Sequence, residues 1–345
     1  MSRWVVVLAG GVGSRFWPLS TPERPKQLLP LVSAHPLLRD TLDRVRPLAP
    51  ADRTLILTNA SLVPAIAALA PEIPADHLIA EPKPAGTAAA LAWAAHRIAQ
   101  MDGPGATMIS VHADWAVADP DGFRAALTRA ADAAERHESL VTVGVVPSRP
   151  DPGFGYIQPA DEVASGVRRV ARFVEKPDVA RARTMCDEGY LWNSGIFVWR
   201  VGDYLDELRA HTPEVAPALA AHPHDLAAFF GAVANAISVD VGVMERSRRV
   251  LVLPGDFGWD DIGVWGALRR VRPRDAQGNA MSGDAYAVES ADNVVHAEAG
   301  TVVLYGVRDL VVVTAHGLTV VTTVEKSHAL KELLAHLPAA VRDRA

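Results

Sequence analysis

The chain has 345 residues, 49% of them hydrophobic and 21% charged, enough apolar surface for the core of a large globular domain and a smaller one. A formal net charge of −6 speaks against a nucleic-acid or membrane-surface partner, since both want a basic face. A single cysteine, Cys186, excludes an internal disulfide framework and a cysteine-rich zinc site. With no signal-peptide core or membrane-length apolar run in view, a cytoplasmic location is expected.

In chain order, residues 4–9 read as a strand that runs into a glycine-rich loop. Residues 36–45 are helical by pattern, 54–58 a strand and 61–70 a helix. An alanine-rich helix over 87–99, a strand over 107–111, a helix over 121–135 and a strand over 140–146 follow. This alternation predicts a doubly wound α/β fold with a mostly parallel sheet buried on both faces. Ligands of such sheets bind outside the carboxyl ends of the strands, so the loops after Ala9 and Val111 are where chemistry is sought. From Tyr156 the pattern loosens into strands at 167–175 and 196–199 set among helices. After Arg274 it changes to short valine-rich strands with glycine or Asp-Asn turns over 278–323, then a helix from His328. The expected domains are 1–274 and a small all-β element over 278–345, a short β-helix or an interface piece with its terminal helix.

The sharpest motif is Leu8-Ala9-Gly10-Gly11-Val12-Gly13-Ser14-Arg15, followed by Pro18 and by Pro25-Lys26-Gln27. Three glycines after a strand let backbone N–H groups approach an anion closely, and Arg15 and Lys26 add charge suited to a triphosphate. The loop is neither a P-loop nor the dinucleotide fingerprint. A tight turn alone would explain the glycines but not the arginine, prolines and lysine together. Lysine is scarce, with Lys26, Lys83, Lys176, Lys326 and Lys331 the whole complement, which sharpens interest in Lys26 and Lys176.

Residues 8–31, LAGGVGSRFWPLSTPERPKQLLPL, resemble the signature loop of the sugar-nucleotide pyrophosphorylases, in the Pro-Lys-Gln form of the mannose-1-phosphate guanylyltransferases. Four further segments resemble that family in the same order. They are Phe173-Val174-Glu175-Lys176-Pro177, Trp192-Asn193-Ser194-Gly195-Ile196-Phe197, Ser238-Val239-Asp240 with Val243-Met244-Glu245, and Gly258-Trp259-Asp260-Asp261-Ile262-Gly263 with Trp265. The resemblance implies a Rossmann-like sheet of the nucleotide-diphospho-sugar transferase type. It implies transfer of GMP from GTP to mannose 1-phosphate, giving GDP-mannose and pyrophosphate, with Mg²⁺ as cofactor.

Carried over residue by residue, the nucleotide would be held by Leu8, Ala9, Gly10, Gly11, Gly13, Arg15, Lys26, Glu81 and Thr87. The sugar phosphate would be held by Gly155, Glu175, Lys176 and Asn193, and the metal by Asp114 and Asp261. Arg15, Lys26, Asp114 and Asp261 would be the catalytic set. Mg²⁺ prefers such oxygen ligands and keeps several waters. Bland alternatives stand beside these roles: Asp114 as a turn cap, Asp260 or Asp261 as a helix N-cap, and Glu175–Lys176 as an exposed ion pair.

Two segments depart from the family. Ala85, Gly86 and Ala89 stand where its guanine segment has Arg, Asn and Pro, and His112-Ala113-Asp114-Trp115 stands for its Pro-Ala-Asp-His. The first departure keeps another NTP, hexose or heptose 1-phosphate open, and a catalytically inactive sugar-nucleotide-binding subunit is the reading from a different class. A homodimer is compatible with the terminal β element.

Overall fold

A computed structural model describes residues 2–11 and 14–344, save the side chain of Ser14. The strands are β1 (Arg3–Leu8), β2 (Thr54–Asn59), β3 (Leu78–Glu81), β4 (Thr107–His112), β5 (Ala116–Val117), β6 (Leu140–Val145), β7 (Tyr156–Ala164), β8 (Val167–Val174) and β9 (Leu191–Arg200). They continue as β10 (Val250–Gly255), β11 (Trp259–Asp260), β12 (Ala280–Ser282), β13 (Ala285–Val288), β14 (Val294–Ala297), β15 (Val302–Tyr305), β16 (Leu310–Ala315) and β17 (Leu318–Thr323). Four helices matter below: α1 (Leu37–Val45), α2 (Val63–Leu69), α3 (Thr87–Asp102) and α4 (Pro120–His137).

The chain folds into two compact units. The first takes residues up to Gly10, Leu42–His112 and Asp119–Gly258. It is built on a mixed, mostly parallel sheet of order β3-β2-β1-β4-β9-β6-β10-β8-β7. Valines 5, 6 and 7 of β1 are buried on both faces of the strand, as a covered parallel sheet demands. Helix α3 lies against this core through Ala88–Ala95, whose small side chains allow close approach. Helix α4 starts sharply because Asp119 accepts from the Asp121 and Gly122 N–H groups and Pro120 occupies its first turn.

Strands β3, β2, β1 and β4 all run parallel, with Leu8 opposite Leu57 and His112, and Asn59 opposite Glu81. Their carboxyl ends therefore share one edge of the sheet. Strand β9 runs antiparallel between β4 and β6 and starts at Leu191, five residues before the expected 196. The polar, glycine-bearing stretch Asn193-Ser194-Gly195 has little strand propensity. Ladder partners hold it extended all the same: Gly144 faces Asn193, and Tyr156 of β7 faces Trp192.

The second unit takes Gly11–Thr41, Ala113–Ala118 and the chain from Trp259 onward. Its core includes Phe16, Trp17, Leu19, Leu29, Leu31, Ile262 and Trp265, together with Val294, Val311 and Val313 of the terminal β element. Trp265 Nε1 donates to the Trp17 carbonyl at 3.0 Å, so the largest side chain of this core is also hydrogen-bonded.

The β element coils. Strands β12, β14 and β16 stack in parallel, as do β13 and β15, and β17 returns antiparallel to β16. Buried Asn279 and Asn293 stitch successive turns: Asn293 Nδ2 donates to Asn279 Oδ1 at 2.9 Å, and Leu310 N–H donates to Asn293 Oδ1 at 3.0 Å. Such satisfied ladders specify one register, because a slip would strand buried amide groups.

Candidate active site

At the shared strand edge of the first unit, Ala9 N–H donates to the Leu57 carbonyl at 2.8 Å. The Ala9 carbonyl takes the Thr58 hydroxyl at 3.0 Å and the Gly10 carbonyl takes Asn59 Nδ2 at 3.2 Å. The exit of β1 is thus pinned to β2 while Leu8, Ala9 and Gly10 stay on the line of the sheet edge. Glu81 ends β3, and its Oε1 would lie 3.7 Å from a Cβ added to Gly10. Burial raises the Glu81 carboxyl to about 7. An acceptor in such dry surroundings favours N–H donors brought by a ligand.

Thr87 opens α3, and its Oγ1 accepts from the Val239 N–H at 2.9 Å. Gly86 precedes it at φ 82°, and a Cβ there would come within 2.2 Å of the Ile237 carbonyl oxygen. Only glycine fits, because the backbone of Ile237 passes directly over it.

A second group in the same unit gathers Gly155, Glu175, Lys176, Asn193 and Asp240. Asn193 N–H donates to the Gly155 carbonyl at 2.8 Å, and Asn193 Nδ2 to Asp240 Oδ1 at 2.7 Å. Glu175 Oε2 reaches so close to Gly155 that an added Cβ would lie 2.7 Å away. Lys176 adopts φ 42°, uncommon for a residue with a side chain, and its Nζ lies 2.8 Å from Glu175 Oε1. Burial raises the Asp240 carboxyl and the nearby Glu175 adds to this, while the Asn193 amide and His112 at the end of β4 oppose it. Asp240 heads a π-helical turn, Asp240–Met244, a distortion frequent at functional sites. It lies in one of the segments that resembled the family, but as one acidic residue on a helical pattern it gave no separate signal.

The charged group belongs to the second unit. Strand β5 pairs antiparallel with β11, Ala116 opposite Asp260 and Val117 opposite Trp259. Two residues that flank this ladder, Asp114 and Asp261, are thereby drawn to one place although far apart in sequence. Trp115 and Trp259 pack edge to face at 5.8 Å beneath them. Lys26 comes from the short 3-10 turn Lys26–Leu28 and is 6% exposed. Its Nζ donates to Asp114 Oδ2 at 3.1 Å and to the Asp261 carbonyl at 2.5 Å.

Asp260 and Asp261 divide their labour. Asp260 Oδ1 accepts from Ile262 N–H at 2.9 Å, and Arg270 grips the carboxylate through Nε at 2.6 Å and Nη2 at 2.9 Å. That clamp holds buried Ile262 at φ 45°, a costly conformation for a β-branched residue. The Asp261 side chain makes none of these fold-holding bonds. Burial raises its carboxyl, Lys26 opposes the rise, and Asp260 and Asp114 add to it. A further cation beside these two carboxylates would be favoured.

Of the loop residues, Gly11 and Arg15 are exposed, and the Gly11 carbonyl accepts from buried Gln27 Nε2 at 3.0 Å. An Nη1 of Arg15 lies 3.5 Å from the Cβ position of Gly263, the residue two beyond Asp261. Gly13 lies outside the described residues.

The first unit thus carries the half-buried Glu81 at its parallel sheet edge and the Gly155–Glu175–Asn193–Asp240 group, and the second carries Lys26 bonded to the Asp114 carboxylate and the Asp261 backbone carbonyl. A family model described as nucleotidyl transferase matches residues 4–278, and the chain belongs to that family. It is 37% identical over 329 residues to the mannose-1-phosphate guanylyltransferase of Escherichia coli K12, covering 89% of this chain and 68% of that one. It is 34% identical over 354 residues to the xanthan biosynthesis protein XanB of Xanthomonas campestris, covering 99% of this chain and 74% of the other. The crystal structure of a mannose-1-phosphate geranyltransferase from Thermus thermophilus superposes with a TM-score of 0.89 at 34% identity, covering 97% and 99% of the two chains. At 17% identity, a UDP-glucose pyrophosphorylase from Acinetobacter baumannii shares the fold with a TM-score of 0.51. Among the described residues no helix is long and apolar enough to cross a membrane.

Proposed function

We propose that the protein transfers GMP from GTP to mannose 1-phosphate in the cytoplasm, producing GDP-mannose and pyrophosphate. The observation that carries this reading is the Lys26–Asp114–Asp261 cluster, in a chain whose relatives include guanylyltransferases. An oxygen of the sugar phosphate attacks the α-phosphorus in line. The bond from that phosphorus to the bridging oxygen breaks, and pyrophosphate leaves with the electron pair. No protein nucleophile or general base is needed, because the attacking phosphate is already ionised. Positioning and charge neutralisation do the work.

Lys26 and Arg15 offset the charge that grows on the departing pyrophosphate, with the loop N–H groups around Gly10 and Gly11 supporting them. Glu81 accepts from the base, and guanine offers adjacent N–H donors for it; the turn at Gly86–Thr87 shapes the same segment. Glu175, Lys176, Asn193 and Gly155 serve the sugar phosphate. Asp114 and Asp261 fit Mg²⁺, since both donors are hard oxygens and burial, with the carboxylates of Asp260 and Asp114, raises the Asp261 carboxyl. When bound, the ion supplies positive charge shared by the phosphate oxygens in the transition state.

A homodimer forms, in this reading, on the outer face of β13 and β15. Tyr286, Val288, Val303 and Tyr305 stand 51% to 69% exposed there, in two facing cross-strand pairs. The deciding assay is pyrophosphate release with mannose 1-phosphate and Mg²⁺ against each of the four NTPs, with glucose 1-phosphate as control. Preference for GTP with mannose 1-phosphate is expected. Release with a different pair moves the substrate, and no release by folded protein replaces the enzyme with a binding subunit.

A further inference from the structure

Arg272 is a buried guanidinium, 7% exposed, in the core of the second unit. Its Nε donates to the Leu31 carbonyl at 2.5 Å and its Nη1 to the Val295 carbonyl at 3.4 Å, while its Nη2 meets His296 Nδ1 at 3.1 Å. All three of these partners are neutral. The His296 ring is buried too, and burial together with the Arg272 charge lowers it to about 4, so Nδ1 accepts from the guanidinium at neutral pH. Burial lowers Arg272 to about 10, which leaves it charged. A dry charge met by neutral acceptors costs free energy that an apolar side chain of similar length would not. What the planar fork adds is geometry, because its donors hold Leu31 and β14 at one fixed spacing.

Leu31 closes the turn that carries Lys26. Leu31 N–H donates to the Leu29 carbonyl at 3.0 Å, and Leu29 N–H to the Lys26 carbonyl at 3.0 Å. The 3-10 turn Lys26–Leu28 is short and has no side-chain cap, so little within it fixes where the lysine starts. On the other side of Lys26, Arg24 pairs with Glu298 at 3.1 Å just past β14, but that pair is partly exposed and holds weakly. Arg272 also follows directly on the helix Leu268–Val271, at the end of the segment that presents Asp261, whose carbonyl takes the Lys26 ammonium. One guanidinium therefore joins the lysine's turn, the segment that bears its acceptor, and the β element.

We propose that Arg272 is the positioning residue of Lys26, setting the reach of its ammonium by clamping the turn over residues 26–31 to β14 of the coiled element. The β element then contributes to turnover through His296 and Val295, as the wall against which the lysine's turn is set. This rests on the reading above that Lys26 offsets charge on the departing pyrophosphate.

The test is steady-state kinetics of Arg272→Met and His296→Leu, each alone and combined with Lys26→Ala. Arg272→Met keeps an apolar stem but loses the fork. It is expected to lower kcat by about 10- to 30-fold and leave KM for mannose 1-phosphate within about twofold. In the Lys26→Ala background the same change is expected to cost less than about twofold more, because the group it positions is gone. His296→Leu should lower kcat by about threefold, and His296→Asn, whose amide oxygen can stand in for Nδ1, should restore it. The His296 pair carries the test if Arg272→Met does not fold. Where turnover of Lys26→Ala is too slow to follow, the same cycle is read on pyrophosphate affinity by calorimetry. An equal loss in the wild-type and Lys26→Ala backgrounds would overturn the positioning role and make Arg272 a purely structural residue. So would an unchanged kcat in folded Arg272→Met. Near-normal turnover by Lys26→Ala itself would instead sink the underlying reading of the lysine.

Discussion

The two groups of polar residues solve opposite electrostatic problems. In the second unit, Lys26 donates to the Asp114 carboxylate and to the Asp261 backbone carbonyl, so one lysine offsets part of the charge of two carboxylates. In the first unit, Glu175, Asn193 and Asp240 bring acceptors together with one amide and one exposed lysine. On the proposed assignment the first group would serve phosphates and a metal, and the second would take hydrogen-bond donors from a sugar.

Breaking the charged group has the largest expected effect. Lys26→Ala should lower kcat by about 10³-fold, and Lys26→Arg should restore little, because a planar fork does not replace a point ammonium between two oxygens. Pyrophosphate release at saturating substrates measures both. The neighbouring aspartates then separate catalysis from folding. Asp261→Asn is expected to lose about 10²-fold or more in activity with an unchanged or higher Tm, since it relieves like-charge repulsion. Asp260→Asn should cost about 2–4 kcal/mol of stability, because it breaks the Arg270 clamp and the Ile262 turn. If Asp261→Asn melts early while Asp260→Asn is merely inactive, the two roles are reversed. Chelation of divalent ions should abolish wild-type turnover, and restored Mg²⁺ should return it.

Glu81 sharpens the same contrast in the first unit. Its carboxyl is raised from 4.5 to about 7 by burial, so the folded state prefers it neutral. Below pH 4.5 the group is protonated folded or unfolded and contributes no difference. Between 4.5 and 7 the cost of a dry charge grows, and above 7 it is fully present at about 3 kcal/mol. Glu81→Gln should therefore be about 2–3 kcal/mol more stable than wild type at pH 8 and equal to it near pH 4, yet bind GTP more weakly. Denaturant melts at the two pH values decide this, and equal stability at pH 8 would show that the site is wet. The smallest catalytic effect belongs to Val303→Lys with Tyr305→Lys. These should turn a dimer into a monomer by light scattering while kcat changes by less than about twofold.

The candidate site residues could be named from the sequence because they fall in local motifs. The loop at residues 8–15, Lys26 and the Glu175–Lys176 step each announce themselves by residue types that a plain turn or strand does not need. The strands of the parallel sheet were legible for the same local reason, as short valine-rich runs between helical patterns. Strand β9 was read too short, since Asn193-Ser194-Gly195 takes its extended form from ladder partners on β6 and β7. Asp240 was not singled out, because nothing local separates a carboxylate hydrogen-bonded to Asn193 from one on a solvated helix face.

By itself, then, the sequence determined the alternation of strands and helices and the family, since propensity, patterning and motif spacing act over a few residues. Tertiary structure alone decided that residues from three stretches, Gly11–Thr41, Ala113–Ala118 and the chain after Trp259, make one unit. It also decided which of two adjacent aspartates is structural. Asp260 and Asp261 are the same side chain one residue apart. Only the β5–β11 ladder and the Arg270 clamp give Asp260 to the fold and leave the Asp261 side chain outside those bonds.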